Sequence, residues 1–81
     1  MSRYGACKPG GITVAYGLDH VLGWFYQEFN SAGECIKDED TMFTSLGRGK
    51  LVHLLEQTDA PKEHISNIAL DLDPSDPQGR F

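Results

Sequence analysis

Residues 23–29, GWFYQEF, constrain the fold more than any other stretch, because large side chains fall on both faces of one strand. With the period of two that a strand imposes, Trp24, Tyr26 and Glu28 share one face. Phe25, Gln27 and Phe29 share the other. A chain of 81 residues has room for one domain and one core, so both faces are not easily buried.

The flanking segments extend this strand into a sheet. In ITVAYG, Ile12, Val14 and Tyr16 alternate with Thr13 and Ala15, the signature of a half-buried strand. After GWFYQEF comes NSAG, a turn in which Gly33 can take positive φ, and ECIKD returns as a third strand. Leu51, Leu54 and Leu55 recur at helical spacing with Val52 beside them, giving one helix that starts between Ser45 and Gly49. Pro61 breaks this helix, with Asp59 placed to cap a short extra turn. SNIALDLD then alternates Ile68, Leu70 and Leu72 against Ala69, Asp71 and Asp73, and is read as a fourth strand.

The expected fold class is therefore α+β: a four-stranded, mostly antiparallel sheet, βββαβ in sequence order, with one helix packed on one face. The glycine- and proline-bearing ends read as flexible arms, residues 1–10 and 74–81, around a single domain spanning 11–73. No run of apolar residues is long enough to span a membrane, and MSRYGACKPGG has no signal-peptide core, so a soluble cytoplasmic protein is expected.

One helix covers one sheet face. Phe25 and Phe29 fit beneath the leucine stripe, which leaves Trp24 and Tyr26, joined by Tyr16 and Glu28, on the uncovered face. Exposed aromatics of this kind mark interaction surfaces, and Trp and Tyr are enriched at binding hot spots. The alternative is that the N-terminal arm, or the segment around Met42 and Phe43, folds over this face and buries it. Asp38, Glu39 and Asp40 add an acidic rim. Twelve acidic against seven basic residues give a net charge of −5, which opposes direct nucleic-acid binding and favours a protein partner with a basic surface.

Catalytic and metal readings find little support. Asp19 and His20 are adjacent, so on a strand they point apart; Asp in a turn more simply binds local backbone N–H groups. His20, His53, His64, Cys7 and Cys35 match no zinc spacing. SLGRGK departs from a phosphate loop, with Thr44 where the first glycine belongs and Leu51 after the lysine. DLDPSDPQG fails as a calcium loop because its sixth position is Asp76. Cys7 and Cys35 are read as reduced thiols, with a bridge between them as the lesser alternative.

The sequence thus points to a small acidic, non-enzymatic interaction protein without cofactor or metal. By analogy of size and charge it suits an adaptor, or an inhibitor of a nucleic-acid-handling complex such as an anti-CRISPR protein. One alternative is a homodimer, pairing through the open sheet face. The other is a ligand- or metal-binding protein built on His20, His53 and the cysteines.

Overall fold

A computed structural model describes residues 3–74. Four strands, β1 (Tyr4–Lys8), β2 (Ile12–Asp19), β3 (Gly23–Phe29) and β4 (Cys35–Asp40), form one sheet in sequence order, every pair antiparallel. Three helices follow: a single turn α1 (Thr41–Thr44), then α2 (Arg48–Leu55) and α3 (Lys62–Ala69). The protein is α+β, with its helices packed on one face of the sheet.

The class agrees with expectation, but the order of elements does not. Tyr4–Lys8, expected in a flexible arm, pairs along its whole length with β2, from Tyr4 opposite Tyr16 to Lys8 opposite Ile12. The Pro9-Gly10-Gly11 link makes this hairpin, with φ of 90° and 76° at its two glycines, a region that favours glycine. Conversely, residues 66–73 do not form a strand. Ile65 and Ile68, three apart, lie on one side of α3, and Pro61 precedes its first turn, where a missing N–H costs nothing. The expected tail, 74–81, lies outside the described residues apart from Pro74, as do residues 1 and 2 of the expected arm.

Two connections follow the sequence closely. In the NSAG turn Gly33 has φ 83°, and the Asn30 and Gly33 N–H groups donate to Glu34 and Asn30 carbonyls at 2.9 Å each. α2 begins within the expected window, with Gly47 as N-cap.

The core lies between the sheet and α2 and α3. Ala6, Val14, Tyr16, Trp24 and Tyr26 come from the strands; Leu46, Leu51, Leu55, Ala60 and Ile68 come from the helical half. This is the face of Trp24 and Tyr26, not that of Phe25 and Phe29, so the two faces are exchanged relative to expectation. The reason lies in β2. Its bulky residues Val14, Tyr16 and Leu18 stand opposite Glu28, Tyr26 and Trp24, whereas Thr13, Ala15 and Gly17 accompany the phenylalanines. Helices cover the side on which more apolar area is removed from water.

Candidate interaction surface

The residues expected to meet a partner are largely internal. Tyr16 and Tyr26 have no exposed surface and Trp24 retains 8 %. They serve the core and do not form a docking face; a fully buried ring cannot be offered to another molecule while the fold is intact. Their polar atoms are matched within the protein. The Tyr16 hydroxyl and His64 Nδ1 share a hydrogen bond at 2.7 Å, and the Tyr4 ring meets the His64 ring edge-on at 4.7 Å. Tyr26 donates to Glu28 Oε2 at 2.5 Å, and Lys8 Nζ donates to the same oxygen at 3.0 Å. Burial alone would raise the Glu28 pKa, but these two donors, with the charge of Lys8, hold it below the usual carboxylate value. Glu28 is thus an internal partner and not an exposed site.

The acidic rim is also mostly committed to the fold. Asp40 caps α1, accepting from the Phe43 N–H at 2.5 Å. Glu39 receives Lys50 at 2.5 Å and Lys37 at 3.5 Å, and the hydrogen bond from Lys50 is the main cause of its lowered pKa. Only Asp38 of the three is exposed, with its carboxylate 3.4 Å from Gln27 Nε2.

Asp19 is the last residue of β2, and its side chain holds the turn that follows, as its sequence context suggests. Its carboxylate accepts from the Val21 N–H at 2.7 Å and the Leu22 N–H at 3.0 Å, and these bonds lower its pKa. Among the described residues no group of three or more His, Cys, Asp and Glu side chains is placed to hold a metal ion. Cys7 and Cys35 are free thiols at opposite edges of the sheet. The cations of SLGRGK are engaged as well: Arg48 donates to the Ala69 carbonyl at 2.9 Å and Lys50 pairs with Glu39.

Two surfaces remain. The first is a shallow cleft of about 150 Å³ on the sheet face away from the helices, lined by Arg3, Leu22, Phe25, Gln27, Asp38 and Asp40, of which Phe25 and Asp40 are themselves buried. Arg3 lies 5.8 Å above the Phe25 ring and donates to Gln27 Oε1 at 3.3 Å. The second is an apolar end that the sequence reading did not assign as a site. The β2–β3 turn and α1 meet there through a bond from the Met42 N–H to the Leu22 carbonyl, 3.1 Å. Val21, Met42 and Phe43 are 73 %, 59 % and 74 % exposed. The signal was a Met-Phe pair inside the polar run KDEDTMFTSLGRGK, where no core periodicity accounts for it.

A larger cleft of about 460 Å³ runs between the end of α2 and α3, lined by Glu56, Thr58, Ala60, Lys62, Ile65 and Ser66. It contains neither histidine nor cysteine. Comparison with protein-family models, curated proteins and solved structures finds no match to this chain.

Proposed function

We propose that the chain is a small non-enzymatic interaction protein that binds another protein through its apolar end. The observation that carries this reading is the exposure of Val21, Met42 and Phe43 at the end of the fold where the Met42 N–H bonds the Leu22 carbonyl. Capping by Asp40 and the Thr44 hydroxyl, which donates to the Asp40 carbonyl at 2.9 Å, fixes α1 in place. An ordered cluster of large apolar side chains in water is characteristic of an interface, where Phe and Met are enriched. The partner this surface fits has an apolar slot with basic groups at its edge, to meet the Asp19 carboxylate and the net charge of −5. A non-catalytic role is supported by the perturbed groups Tyr16, Tyr26, Glu28 and Glu39, which bond to other residues of the fold.

Parallel affinity capture with the wild type and a Met42→Ala, Phe43→Ala double variant tests this. A partner retained by the first and lost from the second, with both proteins equally folded, is the expected result. Equal retention by both overturns the assignment.

A further inference from the structure

We infer that the cleft between the end of α2 and the start of α3 binds a small zwitterion with an apolar body, supplied as a free amino acid or a short peptide. The cleft shares no residue with the apolar end, and the inference stands independently of that assignment. Its volume of about 460 Å³ falls within the roughly 300–1,000 Å³ of small-molecule sites.

The floor is apolar and the rim is charged. Ala60 belongs to the core and Ile65 packs half-buried against it, and both line the cleft. Lys62, Ile65 and Ser66 fall three and four positions apart, so they share one side of α3. Glu56 lines the cleft from the end of α2. The connection between the two helices is pinned. The Thr58 hydroxyl donates to the Leu55 carbonyl at 2.7 Å and accepts from the Ala60 N–H at 3.1 Å. Asp59 is bonded twice to Cys7 of β1. The cleft is therefore pre-formed, which lowers the cost of ordering it around a ligand.

Two opposite charges on this cleft are left unused by the fold. Lys8, Lys37, Lys50 and Arg48 form ion pairs, and Arg3 bonds Gln27. Among the described residues the Lys62 ammonium has no such contact, nor has the Glu56 carboxylate, and the two do not pair with each other. Their placing also opposes the helices that carry them. Helix dipoles favour a cation at the C-terminus and an anion at the N-terminus. Here Glu56 caps the end of α2 and Lys62 opens α3, the reverse at both ends. Charges that weaken their own helices and bond nothing in the fold are accounted for by a ligand that needs both.

The chemistry of that ligand follows. An ammonium meets Glu56, a carboxylate meets Lys62, and an aliphatic side chain lies on Ala60 and Ile65. Lys62 repels a simple amine and Glu56 a simple carboxylate, so each charge rejects what the other attracts. The net charge of −5 further disfavours an anion, whereas a zwitterion carries no net charge.

NMR titration of the full-length chain with leucine and with leucyl-leucine tests this. Saturable shifts of the amides lining the cleft are expected, and the tighter probe identifies a free amino acid or a peptide as the source. Removing one charge, as in N-acetyl-leucine or leucinamide, should weaken binding about fivefold, the scale of an exposed ion pair. Glu56→Lys should turn the preference to N-acetyl-leucine, and Lys62→Glu to leucinamide. Both side chains are exposed and each reversal suits its helix end, so the variants keep the fold. The proposal is overturned if neither probe gives saturable shifts at millimolar concentration, if the blocked analogues bind as well as leucine, or if both variants keep the wild-type preference.

Discussion

Tyr16 Oη and His64 Nδ1, 48 positions apart in the chain, lie 2.7 Å from each other where β2 passes under α3. This bond ties the C-terminal helix to the centre of the sheet, and Tyr4 closes over it from β1. Tyr16→Phe keeps the ring and removes only the hydroxyl, so the half-buried His64 Nδ1 loses this hydrogen-bond partner. The expected loss is about 1–2 kcal/mol, with Tm lower by roughly 4–8 °C per kcal/mol for a domain of this size. Thermal unfolding of the two proteins at neutral pH measures it; an unchanged Tm would show that the bond contributes nothing net.

Alkaline and acid limits follow from the same buried groups. Desolvation, helped by Tyr4 and Asp59, pushes the Tyr16 hydroxyl from 10.0 up to about 12. Burial, then the bond to Glu28, raises Tyr26 as well. A folded pKa above the unfolded one means stabilisation that is complete below pH 10 and lost as pH climbs towards 12. Glu28 and Glu39, lowered from 4.5, act in the opposite sense: their contribution is present above pH 4.5 and fades below it. Denaturant midpoints measured against pH should form a plateau with a fall at each end. A midpoint that holds constant from pH 10 to 12 would contradict the role given to Tyr16.

The burial of Trp24 and the exposure of Phe43 give a sharp mutational contrast. Trp24→Ala empties part of the core and should cost about 3–5 kcal/mol, enough to unfold a domain this small. Phe43→Ala removes a ring that is 74 % exposed and should change stability by no more than about 0.5 kcal/mol. Urea unfolding of both variants measures the contrast; equal losses would contradict the placing of Trp24 in the core and of Phe43 at the surface.

Gly23 closes the β2–β3 turn with φ +79°, and an added Cβ would lie 2.9 Å from Thr41 Cβ. The Thr41 hydroxyl accepts from the Trp24 N–H at 3.1 Å and donates to the Leu46 carbonyl at 2.8 Å. Gly23→Ala therefore strains the turn and displaces this hydroxyl together, at about 2–3 kcal/mol. Gly33→Ala, with φ +83° and open space around it, should cost only about 1 kcal/mol. Equal destabilisation of the two variants would mean that the Thr41 contact is slack.

Much of the sheet was legible in the residues. Alternation in ITVAYG and GWFYQEF identified β2 and β3, and NSAG placed the turn to β4. Leu51, Leu54 and Leu55 located α2, since apolar period and turn chemistry act locally. β1 escaped because Gly5, Pro9, Gly10 and Gly11 suggest a loose segment, although Tyr4, Ala6 and Lys8 alternate and the glycines supply a hairpin. Ile68, Leu70 and Leu72 satisfy a strand period, yet Ile65 with Ile68 satisfies a helical one, and a short apolar run does not decide between them. The candidate site was misplaced for one reason: β3 alone does not reveal which of its faces is inside. The bulk of β2 does, through Tyr16 opposite Tyr26 and Leu18 opposite Trp24.

Asp59 holds both main-chain groups that Cys7 turns away from β2. Its carboxylate accepts from the Cys7 N–H at 2.7 Å, and its own N–H donates to the Cys7 carbonyl at 3.0 Å. At the other border of the sheet, the Asp40 N–H is taken by the Thr44 hydroxyl at 2.8 Å, and its carbonyl accepts from the Leu46 N–H at 2.9 Å. A foreign strand seeking to prolong the sheet meets an occupied latch on either side, the hazard that natural edge strands must guard against. Ribbon-like polymerisation by strand addition is thereby disfavoured at both edges.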